Sequence, residues 1–73
     1  MTAFPAEVYR MKELDEVLGD LHHIEEIEGG CLALIGKISV LLPPELAGKL
    51  HGLVGCRVGV LRLDGFHVCN LNA

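Results

Sequence analysis

Val8, Met11, Leu14, Val17, Leu18 and Leu21 recur at steps of three and four, the spacing that gathers side chains on one stripe of an α-helix. This predicts a helix from Ala6 to Leu18 or Leu21, with Pro5 suited to its first turn and Gly19 permitting a stop. Asp20 to Glu28 supports two readings. Leu21, Ile24 and Ile27 fit a helical continuation, whereas the β-branched isoleucines followed by Gly29-Gly30 fit a short strand entering a turn; the helix is the expectation. From Cys31 the period becomes two. Leu32, Leu34, Ile38, Val40 and Leu42 share one parity, and Cys31, Ala33, Ile35, Lys37, Ser39 and Leu41 the other, which reads as one long strand bent or bulged at Gly36. A hairpin with Gly36-Lys37 at its turn is the competing reading.

Pro43 and Pro44 end that segment and pre-set a helix start, with Glu45 at the positive end of the dipole and Lys49 a turn later. Leu46, Leu50 and Leu53 form the buried stripe of this short helix, and Gly52 or Gly55 ends it. Arg57–Leu63 and Phe66–Leu71 flank Asp64-Gly65, a strong hairpin signal. A two-residue turn there pairs Leu63 with Phe66, Arg62 with His67, Leu61 with Val68, Val60 with Cys69 and Val58 with Leu71. Neither face of that hairpin is mostly polar, so both require a cover. The pattern as a whole predicts an α+β fold: a small curved antiparallel sheet or barrel, an acidic N-terminal helix, and a short helix between strands. Residues 1–28 form an acidic, mainly helical arm and 29–73 a strand-rich module, within a single domain.

A chain of 73 residues buries only about 60% of its unfolded surface, so its core is marginal. Yet 51% of the residues are hydrophobic, nearly all aliphatic, with no Trp and only one Tyr and two Phe. The excess calls for a second surface, in a homo-oligomer or a protein partner. The expected interface is Val58, Val60, Leu61, Leu63, Phe66 and Val68. Net charge is −4 and unevenly placed: residues 1–30 carry eight acidic side chains against Arg10 and Lys12, whereas residues 31–73 carry four basic against two acidic. The charged first thirty residues, the absence of a long apolar run and three widely spaced cysteines point to a cytoplasmic protein without membrane association.

Chemistry-bearing residues form no recognisable constellation. His67 and Cys69 share strand parity, and His22-His23 stand near Glu25, Glu26, Glu28 and Cys31, but neither paired Cys-x-x-Cys nor His-x-x-x-His spacing occurs. A nucleophilic cysteine needs a base and oxyanion donors that no local motif places, and the glycines lack the Gly-Lys-Ser/Thr end of a phosphate loop. The expectation is a non-enzymatic chain with no cofactor and no metal. For nucleic acid the candidate contacts are Lys37, Lys49, Arg57 and Arg62, four scattered charges without an aromatic platform, disfavoured by the acidic balance.

Pro43, Glu45-Leu46, Lys49-Leu50, Gly55, Val58 and Val60, with Asp64-Gly65 as a last turn, resemble the AbrB/MazE type of swapped-hairpin regulator. That resemblance implies an intertwined homodimer with basic loop residues on DNA. Cys31-Leu32-Ala33, Gly36-Lys37-Ile38, Gly55, Val58, Val60 and Gly65-Phe66 are similar to the small barrel of HypC-type maturation chaperones, which implies a metal or maturation accessory role. The residues themselves favour a small interaction module that oligomerises or binds a protein through an apolar strand surface.

Overall fold

A computed structural model describes residues 8–72. It holds six strands, β1 (Val8–Arg10), β2 (Glu16–Ile27), β3 (Gly30–Ile35), β4 (Ile38–Leu42), β5 (Arg57–Arg62) and β6 (Phe66–Asn70), with a 3-10 turn at Pro44–Leu46 running into α1 (Ala47–His51). The strands make one mixed sheet in the order β1-β4-β3-β2-β5-β6. β1 runs parallel to β4 and every other pairing is antiparallel. The fold is thus a small α+β sheet, open rather than closed, since β1 and β6 end it.

The acidic helix expected from Ala6 is not formed: Val8–Arg10 and Glu16–Ile27 are strands, and the Pro5 and Ala6 part of that expectation lies outside the described residues. The spacing of Val8, Met11 and Leu14 runs across β1 and the turn after it, whereas that of Val17, Leu21 and Ile24 arises within β2. Val17 and Leu21 face the core as an alternating strand would place them, and His22 is then an extra residue between the pairs Leu21–Ile35 and His23–Leu34. This bulge shifts the parity, so the next buried residue is Ile24. An alternation with one inserted residue gives Val17, Leu21, Ile24, which is i, i+4, i+7, and so imitates a helical stripe.

The bulge also lets β2 serve two halves of the sheet. Glu16–Asp20 pair with β5, whereas the residues from Leu21 onward pair with β3. At the crossing, consecutive residues bond in opposite directions: Asp20 O accepts from Gly36 N at 2.8 Å, and Leu21 N donates to Cys56 O at 2.8 Å. Close approach here depends on Gly19, where a Cβ would stand 3.2 Å from Gly36 N and from Ile35 Cγ2.

The segment from Cys31 to Leu42 is a hairpin rather than one long strand. Ile35 pairs with Ile38 across Gly36-Lys37, and Gly36 takes φ 62, the left-handed first position that favours glycine in a tight hairpin turn. The turn reverses parity, so Cys31, Ala33 and Ile35 join Val40 and Leu42 in the core. The last hairpin also differs from its expected register. Arg62 pairs with Phe66 and Val60 with Val68, leaving a three-residue loop, Leu63-Asp64-Gly65, with Asp64 at φ 51 and Gly65 at φ 119. A one-residue slip exchanges the faces of a strand. Phe66 and Val68 therefore pack against the cluster that holds Val58 and Val60, while His67 and Cys69 turn outward.

The short helix follows the prolines as expected. Leu50 is fully buried and Ala47 nearly so, with Leu46 and Leu53 packed against the same cluster. Two polar contacts tie α1 to strands on either side. His51 Nε2 lies 3.2 Å from Glu26 Oε2, and Lys49 Nζ donates to Val68 O at 3.0 Å. The second matters for solubility, because β6 is a terminal strand and a lysine on its free backbone edge obstructs pairing with another chain.

Candidate functional site

Two turns meet at one end of the molecule. The first, Lys12–Asp15, joins β1 to β2, and the second is the Leu63–Gly65 loop between β5 and β6. The β2–β5 ladder pairs Glu16 with Leu61, so its continuation brings residue 15 opposite 62. The backbone bonds there set two residues against one: Arg62 N donates to Asp15 O at 2.9 Å, and Leu14 N donates to Arg62 O at 2.6 Å. The Asp64 amide donates to a Glu13 carboxylate oxygen at 2.7 Å, which locks the second turn to the first.

The aspartate at position 15 organises its own turn. Asp15 Oδ2 accepts from Lys12 N at 2.8 Å and from the Tyr9 hydroxyl, and Asp15 N donates to Lys12 O at 3.0 Å. The hydrogen bond from Tyr9 holds the Asp15 carboxyl below its ordinary range, helped by the Lys12 amide and by the charges of Lys12 and Arg62. The same hydrogen bond pushes the Tyr9 hydroxyl up. On the other side, the Arg62 guanidinium donates to Met11 O and lies 5.2 Å from the centre of the Phe66 ring, an arrangement that adds cation–π attraction.

This framework holds Leu14 in an unusual state. Its φ is 75, a left-handed conformation in which the Cβ of an ordinary residue crowds the backbone, and its side chain is 70% exposed. Leu63, the first residue of the neighbouring loop, is 46% exposed. Turn positions of this kind favour Asn, Asp or Gly, so a leucine there opposes both local strain and solvation. Around the two leucines stand exposed Glu13, Glu16 and Asp64, with Lys12 as the exposed cation of the same turn.

The six expected interface residues separate. Val58 and Val60 are fully buried in the chain's own core, Leu61, Phe66 and Val68 are half-buried, and only Leu63 is strongly exposed. Leu14 falls outside that set because its place in the helical stripe implies burial; a leucine inside the polar run Lys12-Glu13-Leu14-Asp15-Glu16 is the signal that marks it. The four candidate nucleic-acid contacts do not gather. Arg57 and Arg62 stand at opposite ends of β5, Lys37 lies in the β3–β4 turn, and Lys49 is engaged with β6.

Cys31 is buried, Cys56 intermediate and Cys69 exposed, all as free thiols. Burial pushes the Cys31 thiol up, as do the charges of Glu26 and Glu45, and its sulfur approaches Pro43 O at 3.6 Å. This describes a core residue rather than an activated nucleophile. Among the described residues no group of three or more His, Cys, Asp or Glu side chains is placed to hold a metal ion, and no helix is long and apolar enough to cross a membrane. Comparison with protein-family models, with curated proteins and with solved structures finds no match to this chain.

Proposed function

We propose that this protein is a non-enzymatic interaction module whose docking point is the two-turn tip carrying Leu14 and Leu63, and whose partner is another protein offering an apolar contact edged with basic groups. The carrying observation is Leu14: an exposed leucine in a left-handed turn opposes stability on two counts, and such local cost is characteristic of surfaces kept for binding. Charge selects the partner. Glu13, Glu16 and Asp64 surround the leucines, so a second copy of this chain would set acids against acids, while a basic partner would complement them. Half-buried Leu61 continues the apolar surface along β5.

The test has two parts. Light scattering of the full chain over a wide concentration range should give the monomer mass; a concentration-dependent dimer abolished by Leu14→Asn would replace this reading with self-association. Immobilised full chain should then retain from cell extract a basic protein that elutes with moderate salt and is not retained by Leu14→Asn or Leu63→Ser. Retention unaffected by both substitutions would refute the assignment.

A further inference from the structure

The ends of the curved sheet approach each other beside the tip, and between them lies a cleft of about 330 Å³. Arg10 and Met11 line it from the end of β1, Leu42 and Pro43 from the end of β4, and Arg62 and Phe66 from the β5–β6 hairpin. Gly29, at φ 81, adds backbone without a side chain to the rim. The residues lining it thus include two arginines, a phenylalanine and an apolar floor, and among the described residues no acidic one.

We infer that this cleft binds a small organic acid: one carboxylate held between Arg10 and Arg62, with an apolar body laid against Phe66, Met11 and Leu42. A guanidinium offers five N–H donors in a planar fork matched to a carboxylate. Arg62 spends one donor on Met11 O and is stacked near Phe66, which fixes its plane before a ligand arrives and lowers the ordering cost of binding. Asp15 shares the field of Arg62, whereas Arg10 has no hydrogen-bond or ion-pair partner among the described residues. The volume lies near the lower end of small-molecule sites, about 300–1,000 Å³, which suits a compact acid. The cleft shares Arg62, Met11 and Phe66 with the framework of the leucine tip but uses neither Leu14 nor Leu63, and it stands whether or not the tip docks a protein.

The experiment is a titration of the uniformly ¹⁵N-labelled full chain with 4-phenylbutyrate, with its neutral amide 4-phenylbutyramide, and with inorganic phosphate. Saturable amide shifts centred on Arg10, Met11, Gly29, Leu42 and Phe66 are expected with the carboxylate, at least tenfold weaker binding with the amide, and at least tenfold weaker binding with phosphate, which lacks the apolar body. Arg10→Gln, an exposed position, should retain the dispersed spectrum and weaken phenylbutyrate binding at least tenfold. The inference is overturned by absence of saturable shifts, by shifts centred elsewhere, by equal binding of the amide or of phosphate, or by unchanged affinity in folded Arg10→Gln.

Discussion

Replacing Leu14 should reveal the opposing demands of folding and binding at one residue. Its φ of 75 costs an ordinary L-residue roughly 1–2 kcal/mol, and Asn is among the few side chains that relieve much of this. Since Leu14 is 70% exposed, the covered remainder accounts for about 0.5–0.9 kcal/mol of the roughly 1.5–3 kcal/mol that full burial of a leucine would contribute. Leu14→Asn therefore exchanges a strain gain of about 1–1.5 kcal/mol for that smaller loss, a net stabilisation of about 0.5 kcal/mol. Leu14→Ala keeps the left-handed strain and loses the contact, a net destabilisation of about 0.5 kcal/mol. The Leu14 N to Arg62 O bond is common to both variants, so it does not blur the contrast. With a urea slope of about 1 kcal/mol/M for a chain this small, the two unfolding midpoints should differ by about 1 M. Coincident midpoints, or Asn below Ala, would show that the turn stores no relievable strain and that Leu14 is not kept against a folding cost.

The depressed Asp15 carboxyl contributes stability that is present above its unfolded pKa, about 4, and lost as pH falls through the lower folded value; Tyr9→Phe should flatten that acid limb in urea titrations at stepped pH. Thiol titration should label exposed Cys69 first and buried Cys31 only on unfolding; prompt labelling of Cys31 in the native protein would contradict the packing. Removing the Lys49 amine by Lys49→Ala frees Val68 O on the edge of β6, so light scattering of concentrated samples should show faster association than wild type, and identical behaviour would mean that the lysine guards nothing.

The second half of the chain was largely legible because its punctuation is chemical. Pro43-Pro44 began a short helix with Leu50 inward, and Asp64-Gly65 marked a reversal. What sequence could not supply was the length of that reversal. A two-residue turn and a three-residue loop are both compatible with Asp-Gly, and the choice was made by packing, which draws Phe66 and Val68 to the same side as Val58 and Val60. The first half was misread for the opposite reason. The bulged residue His22 carries no local signature, yet it converts a strand's alternation into apparent helical spacing. The tip was hidden by a separate coincidence: Leu14 lies three residues from both Met11 and Val17, so it counts as a stripe residue although it sits in the turn between β1 and β2.

The sharing of β2 between two neighbours has a kinetic and exchange consequence. Residues 20 and 21 bond to opposite sides, so neither half of the sheet can detach without breaking the strand that organises the other. The β2-β3-β4 meander closes through short connections, whereas the pairing of Glu16 with Leu61 must close a much longer loop, and such closures are slow. Folding should therefore begin in the meander and finish when β5 docks, while the folded protein opens as one unit. The amide of Leu21 should then exchange with solvent only as fast as the whole molecule unfolds.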